Sequence, residues 1–212
     1  MRSSRLPPPA ANDRPSLTEA EFGPSSPVFA QTNERLGRIF AQARDAPPVA
    51  ARFREWQSLH DRESSGETRF IHQTYLALLA RLVARRFVAP RRPSSNAEEL
   101  LEVINVDYFN RRGISNFGEG DLFSWIPLEA RWELDLEDLV LETVQGLADA
   151  LTPHDFTNAK PGILDKLYRP TPPRWLTEYL VEYELGLPGD AGLSMLDPAC
   201  CTGTFLCAAI GA

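Results

Sequence analysis

The sequence predicts a mainly α fold, in which a helical N-terminal domain precedes the incomplete start of an α/β Rossmann-like domain. Over residues 68–88 and 135–151, apolar side chains recur at three- and four-residue steps, the period of amphipathic helices. Further on, a short apolar run at 193–196 is followed by Asp197 and a glycine-containing loop. This order of strand, acid and loop is typical of the ligand-binding edge of an α/β sheet.

Composition places the chain among globular proteins, because 43% of its 212 residues are hydrophobic and 24% are charged. A net charge of -7 argues weakly against DNA binding by the chain alone. The longest apolar stretch, 75–80, is far shorter than the roughly 20 residues of a membrane helix. Prolines at 7–9 stand where a signal peptide has its apolar core, so we expect a cytoplasmic protein without a membrane partner.

Three regions are expected along the chain. Residues 1–30 are rich in proline and poor in clustered apolar side chains, which predicts a disordered lead. Residues 31–158 are expected to form the helical domain, and residues 159–212 the start of the α/β domain. Helices packed on helices are the expected architecture of the first domain, since no alternating strand pattern occurs in it.

Within the helical domain, the first helix is expected over 33–43, before a pair of prolines at 47–48. Asn96 has the form of an N-cap, with the acid Glu99 three residues later, and therefore predicts a helix from Ala97. Between 108 and 127, glycines alternate with aromatic residues. That pattern predicts an irregular but ordered loop, held by its aromatic side chains against the helices.

The region from 159 begins with a predicted helix that Thr171 caps and Pro172 opens, ending at Gly186. Taken alone, this element is only a well-capped amphipathic helix. After the predicted strand at 193–196, Asp197 can accept hydrogen bonds from a ligand, and Gly203 lets the backbone approach it closely. A second helix is expected over 204–210.

All three cysteines, Cys200, Cys201 and Cys207, lie in the last thirteen residues. They form no CxxC pair, and no histidine is near them in the sequence. Reduced thiols and no metal site are therefore expected.

The string Leu-Asp-Pro-Ala-Cys-Cys-Thr-Gly-Thr-Phe-Leu at 196–206, preceded by Tyr-Arg-Pro-Thr-Pro at 168–172, resembles a known family. It is similar to the N6-adenine DNA methyltransferases of the large restriction-modification and phage-defence type. A weaker likeness extends over 72–76 and 121–126. The resemblance implies an S-adenosylmethionine site. Its implied residues are Tyr168, Thr171, Pro172, Asp197, Pro198, Ala199, Cys200, Gly203, Thr204 and Phe205.

Two departures from the family pattern affect the expected activity. Cys201 stands where the family has glycine, and a side chain at that point is expected to weaken cofactor binding. The family's catalytic Asn-Pro-Pro-Tyr motif does not occur in these 212 residues, so no catalytic residue is assigned. The expected protein is an N-terminal fragment, inactive alone, of an enzyme that methylates adenine N6 and contacts DNA through other regions.

Two other functional classes are weighed against this interpretation. One is a non-enzymatic helical interaction protein that keeps the cofactor loop as a relic. The other is a small-molecule or RNA methyltransferase, which is disfavoured because a loop of this Asp-Pro-Ala-Cys form is typical of amino-group DNA methylases. Arg85, Arg86, Arg91 and Arg92 could contact DNA phosphates, but a solvated helix end and loop is the preferred interpretation.

Overall fold

The computed structural model describes residues 17–59, 66–90, 96–115, 122–128, 136–154, 156, 167, 174–185, 194–197 and 203–211. Within these ranges the regular secondary structure is helical, which confirms the predicted mainly α fold. The helices are α1 Glu19–Phe22, α2 Pro27–Ala43, α3 Pro47–Leu59, α4 Gly66–Val88, α5 Ala97–Ile104, α6 Asp107–Asn110, α7 Trp125–Leu128, α8 Glu137–Ala150, α9 Arg174–Tyr179 and α10 Thr204–Gly211, with a π-helical turn at Leu180–Glu184.

The central element of the helical region is α4, which lies against α2, α3, α5 and α8. Its bounds agree with the helix predicted over 68–88. The apolar side chains that it buries run along most of its length; they are Phe70, Tyr75, Leu78, Leu79, Leu82 and Val83. A helix enclosed on so many sides is stabilised mainly by tertiary packing.

Helix α2 starts six residues before the position that the sequence predicted. The hydroxyl of Ser26 accepts a hydrogen bond of 3.0 Å from the backbone N–H of Phe29, which caps the helix. Pro27 occupies the first helical position, where a missing N–H costs nothing. The cap and the proline extend α2 through the apolar residues Phe29 and Leu36, which are both buried.

Residues 17–30, expected to belong to a disordered lead, are instead folded onto the helices. Leu17 and Phe22 are buried in the same core as α4. The hydroxyl of Tyr75 donates a 2.7 Å hydrogen bond to the carbonyl of Phe22. Burial raises the pKa of the Tyr75 hydroxyl, which keeps it protonated as a donor. The buried side chains and this hydrogen bond attach the segment to the helices. Residues 1–16 lie outside the described residues.

The predicted helices at 97 and 135–151 are both present. Asn96 caps α5 by accepting a 3.0 Å hydrogen bond from the N–H of Glu98. Glu99, the acid expected to complete a capping box, accepts hydrogen bonds from Arg85 on α4. Helix α8 occupies Glu137–Ala150 and turns Val140, Val144 and Leu147 inward.

The segment predicted as an irregular loop over 108–127 begins within the short helix α6 and ends within α7, and its described residues between them, 111–115 and 122–124, are not α-helical. Trp125 is fully buried, and its indole N–H donates a 3.1 Å hydrogen bond to the hydroxyl of Thr74. The expected attachment through aromatic side chains is therefore confirmed for Trp125. Phe117, which the same expectation included, lies outside the described residues.

Six aromatic side chains from α2, α3, α4 and the start of α7 form one aromatic cluster. Its members are Phe40, Phe53, Trp56, Phe70, Phe123 and Trp125. Phe70 lies at its centre, with ring centroids between 5.1 and 5.9 Å from those of all the other members. Tilted and edge-to-face pairs of this kind contribute about 0.5–1.5 kcal/mol each beyond area burial.

Phe70→Ala is expected to lower the free energy of unfolding by about 3–5 kcal/mol, because it removes a buried ring from the centre of this cluster. The measurement is urea denaturation followed by circular dichroism. Leu59→Ala is the control, since Leu59 is 69% exposed and its loss should change stability by less than about 0.5 kcal/mol. Equal, small effects of the two substitutions would contradict a central role for Phe70.

Candidate functional site

The structure describes part of the cofactor site that the sequence predicted. Asp197, Gly203, Thr204 and Phe205 lie within the described residues. The other predicted members lie outside them, as does Cys201; these members are Tyr168, Thr171, Pro172, Pro198, Ala199 and Cys200. The structure therefore describes the predicted site only at 194–197 and at 203–211.

The predicted strand at 193–196 is not formed in the residues that the structure describes. Residues 194–197 have no regular secondary structure, and Leu196 is 87% exposed. Leu193 lies outside the described residues. A strand needs backbone partners on a neighbouring strand. Throughout the described ranges no second strand is present to offer them, which explains the difference.

Gly203 directly precedes α10. Its φ angle is +75°, in the left-handed region where a residue with a Cβ is strained. Its carbonyl accepts a 2.8 Å hydrogen bond from the N–H of Cys207, so Gly203 is the residue that begins the helical hydrogen bonding. The backbone conformation at this position explains why the sequence has glycine there.

Helix α10 occupies Thr204–Gly211, which confirms the helix predicted over 204–210. It packs against α9 and the π-helical turn. Among the side chains of these elements that the structure describes, Thr177, Val181 and Ala208 are buried. This packing holds the N-terminus of α10, with Thr204 and Phe205 half-buried in its first turn.

The helix predicted over 171–186 is helical across its described part, 174–184, but it is not uniformly α-helical. Five residues, Leu180–Glu184, form a π-helical turn. Such turns insert one extra residue into the α-helical register and are rare in protein structures. The predicted Thr171 cap lies outside the described residues.

Asp197 is half-buried at the end of the 194–197 segment. A carboxylate there supplies a hydrogen-bond acceptor before the loop, while the first-turn N–H groups of α10 supply donors after it. The N-terminus of a helix also carries partial positive charge. Asp197 and the N-terminus of α10 therefore differ in electrostatic character.

The arginines near the end of α4 are neither solvated nor arranged for DNA, contrary to both interpretations of the sequence. Arg85 and Arg86 are buried, together with Arg81 one turn earlier. Arg91 and Arg92 lie outside the described residues. A buried guanidinium cannot reach a phosphate backbone, so Arg85 and Arg86 are structural residues.

Each of these buried arginines joins α4 to another segment. The Nε of Arg85 donates a 2.9 Å hydrogen bond to the carboxylate of Glu99 on α5. Arg86 donates to the carbonyl of His154 at 2.8 Å, and Arg81 to the carbonyl of Ile104 at 2.9 Å. Burial lowers the pKa of Arg81 to about 10, which leaves it charged at neutral pH. The sequence did contain a signal for their burial. The arginines follow Leu78 and Leu82 by three or four residues, which places them on the buried side of α4.

Within the described ranges, no group of three or more His, Cys, Asp and Glu side chains could hold a metal ion. No helix in the same ranges has the combined length and hydropathy needed to cross a membrane.

Comparison of the chain with models of protein families, with curated proteins and with solved structures found no significant match.

Arg85→Met is expected to lower the free energy of unfolding by about 3 kcal/mol, because it leaves the Glu99 carboxylate without its buried counterion. The double variant Arg85→Met/Glu99→Met is expected to recover a large part of that loss, since no unpaired charge remains. Urea unfolding of the wild type, both single variants and the double variant measures the coupling. Strictly additive losses would show that the pair contributes nothing beyond its separate side chains.

Proposed function

We propose that the chain is part of an N6-adenine-specific DNA methyltransferase and that its last fifty residues contribute to the S-adenosylmethionine site. The observation that carries the proposal is the string at 196–206 together with the backbone at Gly203. The resemblance requires a glycine in the loop, and Gly203 has a φ angle that favours glycine. Sequence and local conformation therefore agree at this position.

The chemistry of the two loop ends suits the methionine moiety of the cofactor. That moiety carries an ammonium group and a carboxylate. The carboxylate of Asp197 would accept hydrogen bonds from the ammonium group, and the N-terminus of α10 would favour the cofactor's carboxylate. Gly203 would let the loop backbone approach the ligand without a Cβ in the way. These residues bind and orient the cofactor, and none of them has a catalytic role.

Methyl transfer to adenine requires residues that are not among these 212. The Asn-Pro-Pro-Tyr motif, which would hold the flipped adenine, is absent from the sequence. The stretch 175–212 contains acidic residues but no Lys, Arg or His, so it offers no cation for a DNA phosphate. The proposed contribution of this chain is cofactor binding, with DNA contacted by other parts of the enzyme.

A non-enzymatic helical interaction protein is the second candidate. It is favoured by one observation, the absence of a strand at 194–197 among the described residues, because a working cofactor loop normally extends from a strand. In that case the loop sequence would be a relic without affinity for the cofactor. Direct measurement of cofactor binding separates the two candidates.

Asp197→Asn and Gly203→Ala are each expected to weaken S-adenosylmethionine binding about tenfold. The first substitution removes a charged acceptor, and the second places a Cβ where φ is +75°. Cys201→Gly is expected to strengthen binding, because it restores the family's residue in the loop. Isothermal titration calorimetry with S-adenosylmethionine measures all three affinities.

Cys207→Ser is the control for these titrations, since Cys207 is exposed on α10 and outside the proposed site. Its affinity should equal that of the wild type. Equal affinities of the wild type and Cys201→Gly would refute the proposed effect of Cys201. Absence of binding by every variant, Cys201→Gly included, would favour the helical interaction protein.

A further inference from the structure

The outward side of α9 and the π-helical turn exposes an aromatic and acidic surface. Tyr179 and Tyr183 are 47% and 66% exposed, and their rings are stacked with centroids 5.2 Å apart and an interplanar angle of 28°. Leu185 extends the apolar part of this surface. We refer to Tyr179, Tyr183 and Leu185, with the exposed acids Glu182 and Glu184, as the tyrosine face.

The tyrosine face is fixed in its outward orientation by the packing of the same elements. Thr177 and Val181 are fully buried on the other side, where α9 and the π-helical turn contact α10. Rotating the tyrosines inward would expose these buried side chains. The large aromatic groups therefore stay at the surface, and exposed aromatic patches of this kind are typical of interaction sites.

Charge determines which kind of partner fits this surface. Glu182 and Glu184 flank Tyr183, and over 174–212 the one cationic residue in the sequence is Arg174, at the N-terminal end of α9. A phosphate backbone would be repelled by these carboxylates. A second copy of the same face would bring like charges together, which costs free energy. A cationic partner is the complementary one.

We propose that the tyrosine face binds an arginine-bearing segment of a partner protein. A guanidinium group can stack on the face of a tyrosine ring and at the same time donate paired hydrogen bonds to a carboxylate. The tyrosine face offers both groups over six consecutive residues, 179–184, of which both tyrosines and the acids Glu182 and Glu184 are exposed. A lysine ammonium lacks the planar donor fork, so arginine is preferred over lysine. This binding is separate from cofactor binding at Asp197 and Gly203.

Two synthetic peptides of equal length and charge test the proposal, one with six arginines separated by glycines and one with six lysines in their place. Binding to the full chain is measured by fluorescence anisotropy at low and moderate salt. The arginine peptide is expected to bind about fivefold more tightly than the lysine peptide, as expected from stacking at exposed rings. Equal affinities for the two peptides, or no binding of either, would overturn the proposal.

Tyr179→Ala/Tyr183→Ala is expected to weaken arginine-peptide binding about tenfold and to leave lysine-peptide binding almost unchanged. Tyr179→Leu/Tyr183→Leu is the second variant, because it keeps apolar side chains at both positions while removing the ring faces. Circular dichroism checks that each variant remains helical. If the leucine variant bound the arginine peptide as tightly as the wild type, ring stacking would be excluded.

Glu182→Gln/Glu184→Gln is expected to weaken binding of both peptides. The matched control is Glu34→Gln/Glu98→Gln, which changes net charge equally at exposed positions on α2 and α5. An equal loss in the control would mean that the peptides respond to overall charge, and the proposal would fail. Tighter binding of a single-stranded oligonucleotide than of the arginine peptide would also overturn it. Titration of S-adenosylmethionine into the tyrosine variants keeps this result distinct from the proposed enzymatic function.

Discussion

The structure of the helical region depends on α4, because this helix is enclosed so completely that its polar side chains need partners inside the protein. These partners lie on four different segments. Tyr75 bonds to the carbonyl of Phe22, Thr74 accepts from Trp125, Arg81 bonds to Ile104, Arg85 to Glu99 and Arg86 to the carbonyl of His154. The polar side chains of α4 thus position the N-terminal segment, α5, α7 and the end of the region after α8.

Packing and hydrogen bonding reinforce one another around this helix. Phe70, one turn before Thr74, centres the aromatic cluster that joins α2, α3 and α7 to α4. Trp125 belongs to both networks, since its ring packs on Phe70 and its N–H bonds to Thr74. A buried indole N–H without such a partner would cost about 1–3 kcal/mol. The hydroxyl of Thr74 therefore helps determine where α7 lies.

The sequence predicted the elements whose signals are local. Apolar periodicity located α4 and α8, and Asn96 located the start of α5. The sequence did not predict contacts between residues that are far apart along the chain. Nothing near Leu17 indicates that it is buried, because its neighbours in the core come from elsewhere in the chain. Arg85 and Arg86 look like a solvated helix end until Glu99 and His154 are placed beside them.

At the candidate cofactor site, too, the features with local signals were predicted and those that depend on distant residues were not. The start of α10 and the special conformation of Gly203 follow from local sequence, whereas the predicted strand at 193–196 depends on partners that the sequence pattern does not supply. A strand is stabilised by its neighbours, so its formation cannot be read from four apolar residues alone. The local sequence therefore predicted α10 correctly but did not predict that 194–197 would form no strand.

Hydrogen exchange tests most directly the claim that α4 organises the fold while residues 194–197 form no strand. Mass spectrometry of the native chain would follow exchange at the amides of α4 and of residues 194–197. The amides in the middle of α4 should be the slowest to exchange, at a rate set by global unfolding, whereas those of 194–197 should exchange within seconds. Strong protection at 194–197, or early exchange in α4, would contradict the account.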